Sequence, residues 1–169
     1  MLPTLVDQYR RWFEYEKDVH RKVLESLETV PDESRASEPY QKALNLMGHL
    51  LAARRIWLHR IEPSHERPAA IFPTGVKKES LPADFAAMER DWATLFDRLN
   101  EADLERVFVY RTTEGVEYHS VLLDILTQLY GHSHYHRGQI ASLVRAADGQ
   151  PAITDFIFWT REEAKPPRT

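Results

Sequence analysis

Residues 122–147 constrain this chain more than any other stretch. Leu122, Ile125, Leu129, His132, His136, Ile140, Leu143 and Ala147 recur at intervals of three and four, the period of one helix face. The stripe that should face a core therefore carries two imidazoles, His132 and His136, one above the other. A pair at this spacing can hold one divalent metal through neutral ring nitrogens. Two buried histidines can equally well be satisfied by hydrogen bonds to their neighbours. His134 points to another face. Gly131 and Gly138 flank the pair, each costing about 1 kcal/mol relative to Ala inside a helix. Such a cost suggests close approach by a neighbouring helix or a ligand, or a one-turn bulge.

Three further segments share the helical period. The first spans residues 3–30, with Leu5, Tyr9, Trp12, Phe13, Val23 and Leu27 as its stripe and Pro31 as its stop. The second spans residues 39–61, with Leu46, Leu50, Ala53, Trp57 and Ile61 apolar. There His49 falls on the side of Leu46, Ala53 and Ile56, so it should face inward. Residues 63–80 follow without any period, punctuated by Pro68, Pro73 and Gly75, a long connection that suggests a functional cover or an excursion from the fold. Ser80 is a plausible N-cap for a third helix over residues 82–100, striped by Phe85, Met88, Trp92, Leu95 and Leu99. Residues 107–110 and 116–118 flank a turn and suggest a short β-hairpin. The fourth helix should run from about Ser120 to Asp148-Gly149, where glycine suits a left-handed cap.

Four amphipathic helices and a hairpin make an all-α four-helix bundle. The two long connections, 63–80 and the hairpin, can each act as crossovers along its length. One domain over residues 1–160 is expected, with a flexible tail at 161–169. The aromatic run Asp155-Phe-Ile-Phe-Trp159 should pack on one end of the bundle or on a second subunit. Bundle cores often hold metals between facing helices. His49 is the one other histidine midway along a core stripe, which makes it the natural third ligand beside His132 and His136.

Composition excludes several classes. A net charge of −4 and a pI near 6.1 argue against a general nucleic-acid binder. The absence of cysteine excludes disulfides, thiolate metal sites and a cysteine nucleophile. No apolar run approaches 18 residues, so no membrane span is expected, and with no signal peptide visible the expected location is the cytoplasm.

Several motifs together resemble the DinB/YfiT-like superfamily. They are Asn45-Leu-Met-Gly-His49 with Arg55-Ile-Trp-Leu58, the turn Thr113-Glu-Gly115, the run His132-x-x-x-His136-Arg137-Gly138-Gln139-Ile140, and the close Pro151-Ala-Ile-Thr-Asp155-Phe-Ile. The resemblance covers nearly the whole chain, with His-Arg-Gly-Gln as its most specific element. It implies a four-helix bundle, often a homodimer, and a divalent metal held by three histidines matching His49, His132 and His136. Relatives with known activities include thiol-dependent S-transferases and a mycothiol-dependent maleylpyruvate isomerase, while many members have no established reaction. The family name reflects induction by DNA damage and implies no DNA binding.

Three neutral imidazoles leave a metal its double charge and at least one open position. Such a Lewis acid can lower the pKa of a bound water to about 7 or take up a thiolate. Zinc or nickel fits first, and iron and cobalt also accept imidazole. Ser133 stands where an HExxH motif would place its glutamate, so no general base is built in. Glu62 and Asp155 are considered for that role, with a solvated carboxylate as the plainer reading. Arg137 could bind a substrate carboxylate or form an ion pair, and Gln139 could orient a ligand or merely pack. Arg54 and Arg55 read as surface or ion-paired. His20, His59, His65 and His119 read as ordinary, and Trp12, Trp57 and Trp92 as core.

Two functions follow. One is a metal-dependent enzyme acting on a small molecule, by transfer of a low-molecular-weight thiol to an electrophile or by hydrolysis. The other is a non-catalytic stress-response protein with a structural or vestigial metal. A carboxylate from residues 63–80 would close the site and favour the second. A third reading is an apolar pocket with no metal.

Overall fold

The computed structural model describes residues 3–112 and 114–162. Thr113 of the hairpin turn and most of the expected flexible tail lie outside the described residues. Helix α1 (Leu5–Glu28) opens on a capping box, the Asp7 amide donating to the Thr4 hydroxyl and the Thr4 amide to the Asp7 carboxylate. Helix α2 (Glu38–Ile61) opens behind Ser37, whose hydroxyl accepts from the Tyr40 amide, with Pro39 in its first turn. Helix α3 (Leu81–Arg98) follows a 3-10 turn. The expected cap at Ser80 does not form, because Ser80 is already αR and its hydroxyl donates to the Lys77 carbonyl.

Strands β1 (Val107–Arg111) and β2 (Glu117–Val121) pair antiparallel, with Val107 opposite Val121. Extending β2 to Val121 delays helix α4 (Leu122–Ala146) by two residues relative to expectation. At its end the left-handed residue is Asp148, φ 62°, not Gly149. Gly149 is required for a different reason: a Cβ there would lie 2.6 Å from Val30 Cγ2. A short helix α5 (Phe156–Thr160) closes the described chain.

Side-chain pairs fix the helix directions. Tyr9 meets Thr127 and Glu16 meets Arg137, so α1 and α4 run parallel. Arg55 meets Asp84 and Glu62 meets Arg98, so α2 and α3 run parallel. Arg10 reaches Phe96 and His20 reaches Glu89, so α1 and α3 are antiparallel. Helix α2 makes its most extensive contact with α4, while α1 packs on α3 and α4. Two parallel neighbours in succession, α2 then α3, require their connection to travel back along the bundle. The hairpin instead spans one end, where Tyr110 packs edge-on against Trp57 of α2.

Trp92, Met47, Leu27, Leu50, Ile125 and Leu126 lie fully inside the bundle. Phe156 and Trp159 of α5 pack on Tyr15 of α1, whereas Ile157 and Phe158 remain exposed. Among the described residues, no helix is long and apolar enough to cross a membrane.

Candidate metal centre

The three histidines come together between α2 and α4. The Nε2 atoms of His49 and His132 are 3.0 Å apart, and those of His132 and His136 are 3.1 Å apart. One ring nitrogen from each lies within 4.8 Å of the others, and no carboxylate joins the group among the described residues. The possibility that residues 63–80 supply a closing carboxylate is therefore not realised here.

The opposite ring nitrogens define what the convergent ones can do. His49 Nδ1 lies 2.6 Å from the Ile71 carbonyl and must donate to it. His136 Nδ1 lies 2.7 Å from the Gln139 side-chain oxygen and donates likewise. In neutral rings, both Nε2 atoms are then left as lone pairs. The His132 Nε2 faces both and has at most one proton to offer. At least one lone pair is left without a proper donor, an arrangement a divalent cation would resolve. Burial, then the charges of His136 and His49, push the His132 imidazolium down to about 4. Burial also lowers His136, against the opposing hydrogen bond to Gln139. His132 and His136 are thus held neutral near pH 7, the protonation state a metal requires.

His132 and His136 are half-buried, at the edge of the α4 core stripe and not at its centre. The centre runs through Leu126, Tyr130, Ser133, Arg137 and Val144. Arg137 is 3% exposed and donates to Glu16, itself fully buried. Arg54 donates to the other Glu16 oxygen at 2.7 Å. Arg137 also donates to the Tyr15 hydroxyl at 3.0 Å. Burial alone would raise the Glu16 carboxyl, but Arg54 and Arg137 outweigh it and hold it at about 2. Arg137 and Arg54 are accordingly ion-paired inside the bundle, and neither is available to a substrate.

His20 is more than ordinary: it is buried, with Nδ1 2.9 Å from Glu89 and Nε2 3.7 Å from Glu16. His59 and His65 bond locally, and Arg55 pairs with Asp84 at 3.2 Å. Glu62 is engaged by Arg98 and His65. Asp155 immediately precedes α5. Neither lines the cavity at the histidines.

Neither Gly131 nor Gly138 meets a neighbouring helix, since a Cβ at either would find nothing within 4 Å. The close approach is at Gly48 instead, where a Cβ would lie 2.7 Å from Val76 Cγ2 and 2.9 Å from Pro73 Cγ. This glycine lets the connection settle on α2 beside His49. The Phe72 ring then stacks on the His49 ring at 4.4 Å and 8°, though Phe72 is 75% exposed.

A cavity of about 840 Å³ opens on His49 and His132, lined in part by Ile56, Trp57, Arg60, Tyr110 and Leu129. Sequence reasoning missed Ile71, Phe72 and Glu16. For Glu16 a signal existed, because it falls three residues after Phe13 on the α1 stripe. For the other two there was none, since loop residues have no period.

The family model described as the DinB family matches residues 3–168 of this chain. No curated protein and no solved structure matches it.

Proposed function

The chain belongs to the DinB family, and on that premise we propose that it is a metal-dependent enzyme using His49, His132 and His136 to transfer a low-molecular-weight thiol to an electrophile or to hydrolyse a small substrate. The observation that carries this reading is the convergence of three Nε2 atoms at 3.0 and 3.1 Å with too few protons to satisfy them. Zinc or nickel suits that donor set best, with iron or cobalt as further choices. When bound, such an ion supplies a Lewis acid with an open coordination position.

The remaining work belongs to the chain. The Ile71 carbonyl and the Gln139 side chain fix two ring orientations, as the outer partners of ligating histidines do. Phe72 covers one face of His49. The adjoining cavity gives a substrate access to the cluster, which favours a reactive over a purely structural site. The same reading takes the protein to be a cytoplasmic homodimer acting on a small molecule and not on nucleic acid, in keeping with its net charge of −4.

A panel of cellular thiols assayed with an activated aryl halide provides the test. Turnover should disappear on chelation and return with added zinc or nickel. Hydrolysis without any thiol would select the second chemistry. Metal-independent turnover would overturn the metal chemistry, and no turnover with any thiol or hydrolysable ester would leave the non-catalytic stress-response reading in its place.

A further inference from the structure

Arg60 and Arg67 stand on the wall of the cavity that opens on His49 and His132. The Arg60 guanidinium lies against two rings that also meet edge-on, 4.6 Å from the Trp57 centroid and 4.4 Å from that of Tyr110. It also donates to the Arg111 carbonyl at 3.3 Å. Stacking fixes the plane of a guanidinium without consuming its donors, so most of the fork stays available.

Among the described residues neither arginine is ion-paired, and two nearby acids are committed elsewhere: Glu62 to Arg98 at 2.6 Å, and Glu117 to Arg111 at 3.3 Å. Glu114 is the one carboxylate among the residues lining the cavity. Two guanidiniums against one carboxylate leave the wall net positive. Burial, and the like charge of Arg67, lower the Arg60 pKa, a penalty that a bound anion would relieve.

The positions along α2 supply a length. His49, Ala53, Ile56 and Arg60 follow one line, with the apolar pair between the imidazole and the guanidinium. Three helical turns separate the ends, about 16 Å of rise at ~1.5 Å per residue, which the Arg60 side chain can shorten by several ångström.

We propose that the cavity takes an extended ligand ending in an anionic group, carboxylate or phosphate, which Arg60 and Arg67 hold while its apolar body lies along Ala53 and Ile56 and its far end reaches the imidazole cluster. This deepens the reading above by assigning the substrate's chemical class, and it rests on that reading for where the reacting atom sits.

The experiment is calorimetric titration with three straight-chain probes, mercaptooctanoate, mercaptooctyl phosphate and the neutral mercaptooctanol. Each is titrated into zinc-loaded protein and into protein stripped by chelation. A charge-assisted hydrogen-bonded pair of this kind should make at least one anionic probe bind about tenfold tighter than the alcohol. The tighter of the two identifies the anion. Arg67→Gln should cut the preference roughly threefold, and combining it with Arg60→Gln should abolish it. Arg67 is exposed, so its single variant tests the site even if the double variant fails to fold. Equal binding of all three probes, or a preference that survives Arg67→Gln undiminished, overturns the proposal. If stripping the zinc leaves every affinity unchanged while the anion preference persists, the metal reading fails and the anion site stands.

Discussion

A ring nitrogen lone pair needs a proton or a cation, and that requirement decides how the histidine variants should behave. With His49, His132 and His136 all changed to Ala, the purified protein should lose the roughly one equivalent of divalent metal expected of a single site. His134→Ala should keep it, because His134 is turned the other way, with Nδ1 2.8 Å from the Tyr130 carbonyl. Elemental analysis decides, and undiminished metal in the triple variant would sink the assignment. The same residues set a pH window for the metal-free protein. The folded His132 imidazolium is held at about 4, against an ordinary 6.5. A depressed value means that its contribution to stability is complete above 6.5 and is lost as pH falls through 4. Thermal unfolding of chelated protein should accordingly show a fall in Tm across that interval. His132→Gln should flatten it, and an unchanged slope would contradict a neutral His132.

Within α4, the periodicity of three and four located the helix, but two stripes one residue apart satisfy it, through His132 and His136 or through Ser133 and Arg137. Only the first is free of arginine, lysine and acidic residues. The structure buries the second, because Arg137 finds Glu16 on α1, a partner 121 residues away that no local pattern reveals. The existence of the four long helices and of the hairpin was legible for the opposite reason: period, prolines and turn residues are local. So was the grouping of His49, His132 and His136, since all three lie on helices. Its lid was not legible, because Ile71 and Phe72 belong to a connection placed by Gly48. The glycines of α4 yield a prediction at this scale. Both Gly131 and Gly138 are helical with open space where a Cβ would stand. Gly131→Ala and Gly138→Ala should each stabilise the protein by about 1 kcal/mol, seen as a rise in denaturation midpoint with unchanged slope. Destabilisation by either would show that the space is needed, as for a ligand or a partner.

Across the whole molecule, one buried polar chain touches all four long helices. Glu16 of α1 accepts from Arg54 of α2 and Arg137 of α4, and His20 links it to Glu89 of α3. The chain runs just beneath the histidine-bearing turn, since Arg137, the residue after His136, donates to Glu16. Removing one member of a buried ion network costs more than the network contributes, because the charges left behind stay desolvated. Glu16→Gln leaves two guanidiniums facing each other and should destabilise the fold by roughly 3–5 kcal/mol. Replacing Glu16, Arg54 and Arg137 together by Met should cost much less, since no charge is then stranded. The acid limb carries the same signature. The Glu16 carboxyl sits at about 2 in the fold against an ordinary 4.5, so its contribution is complete above 4.5 and is lost as pH falls toward 2. Denaturant unfolding at stepwise pH should therefore show a loss below 4.5 in the natural chain that the triple Met variant lacks. A Glu16→Gln protein as stable as the natural one would mean that packing, and not this charge network, holds the four helices in register.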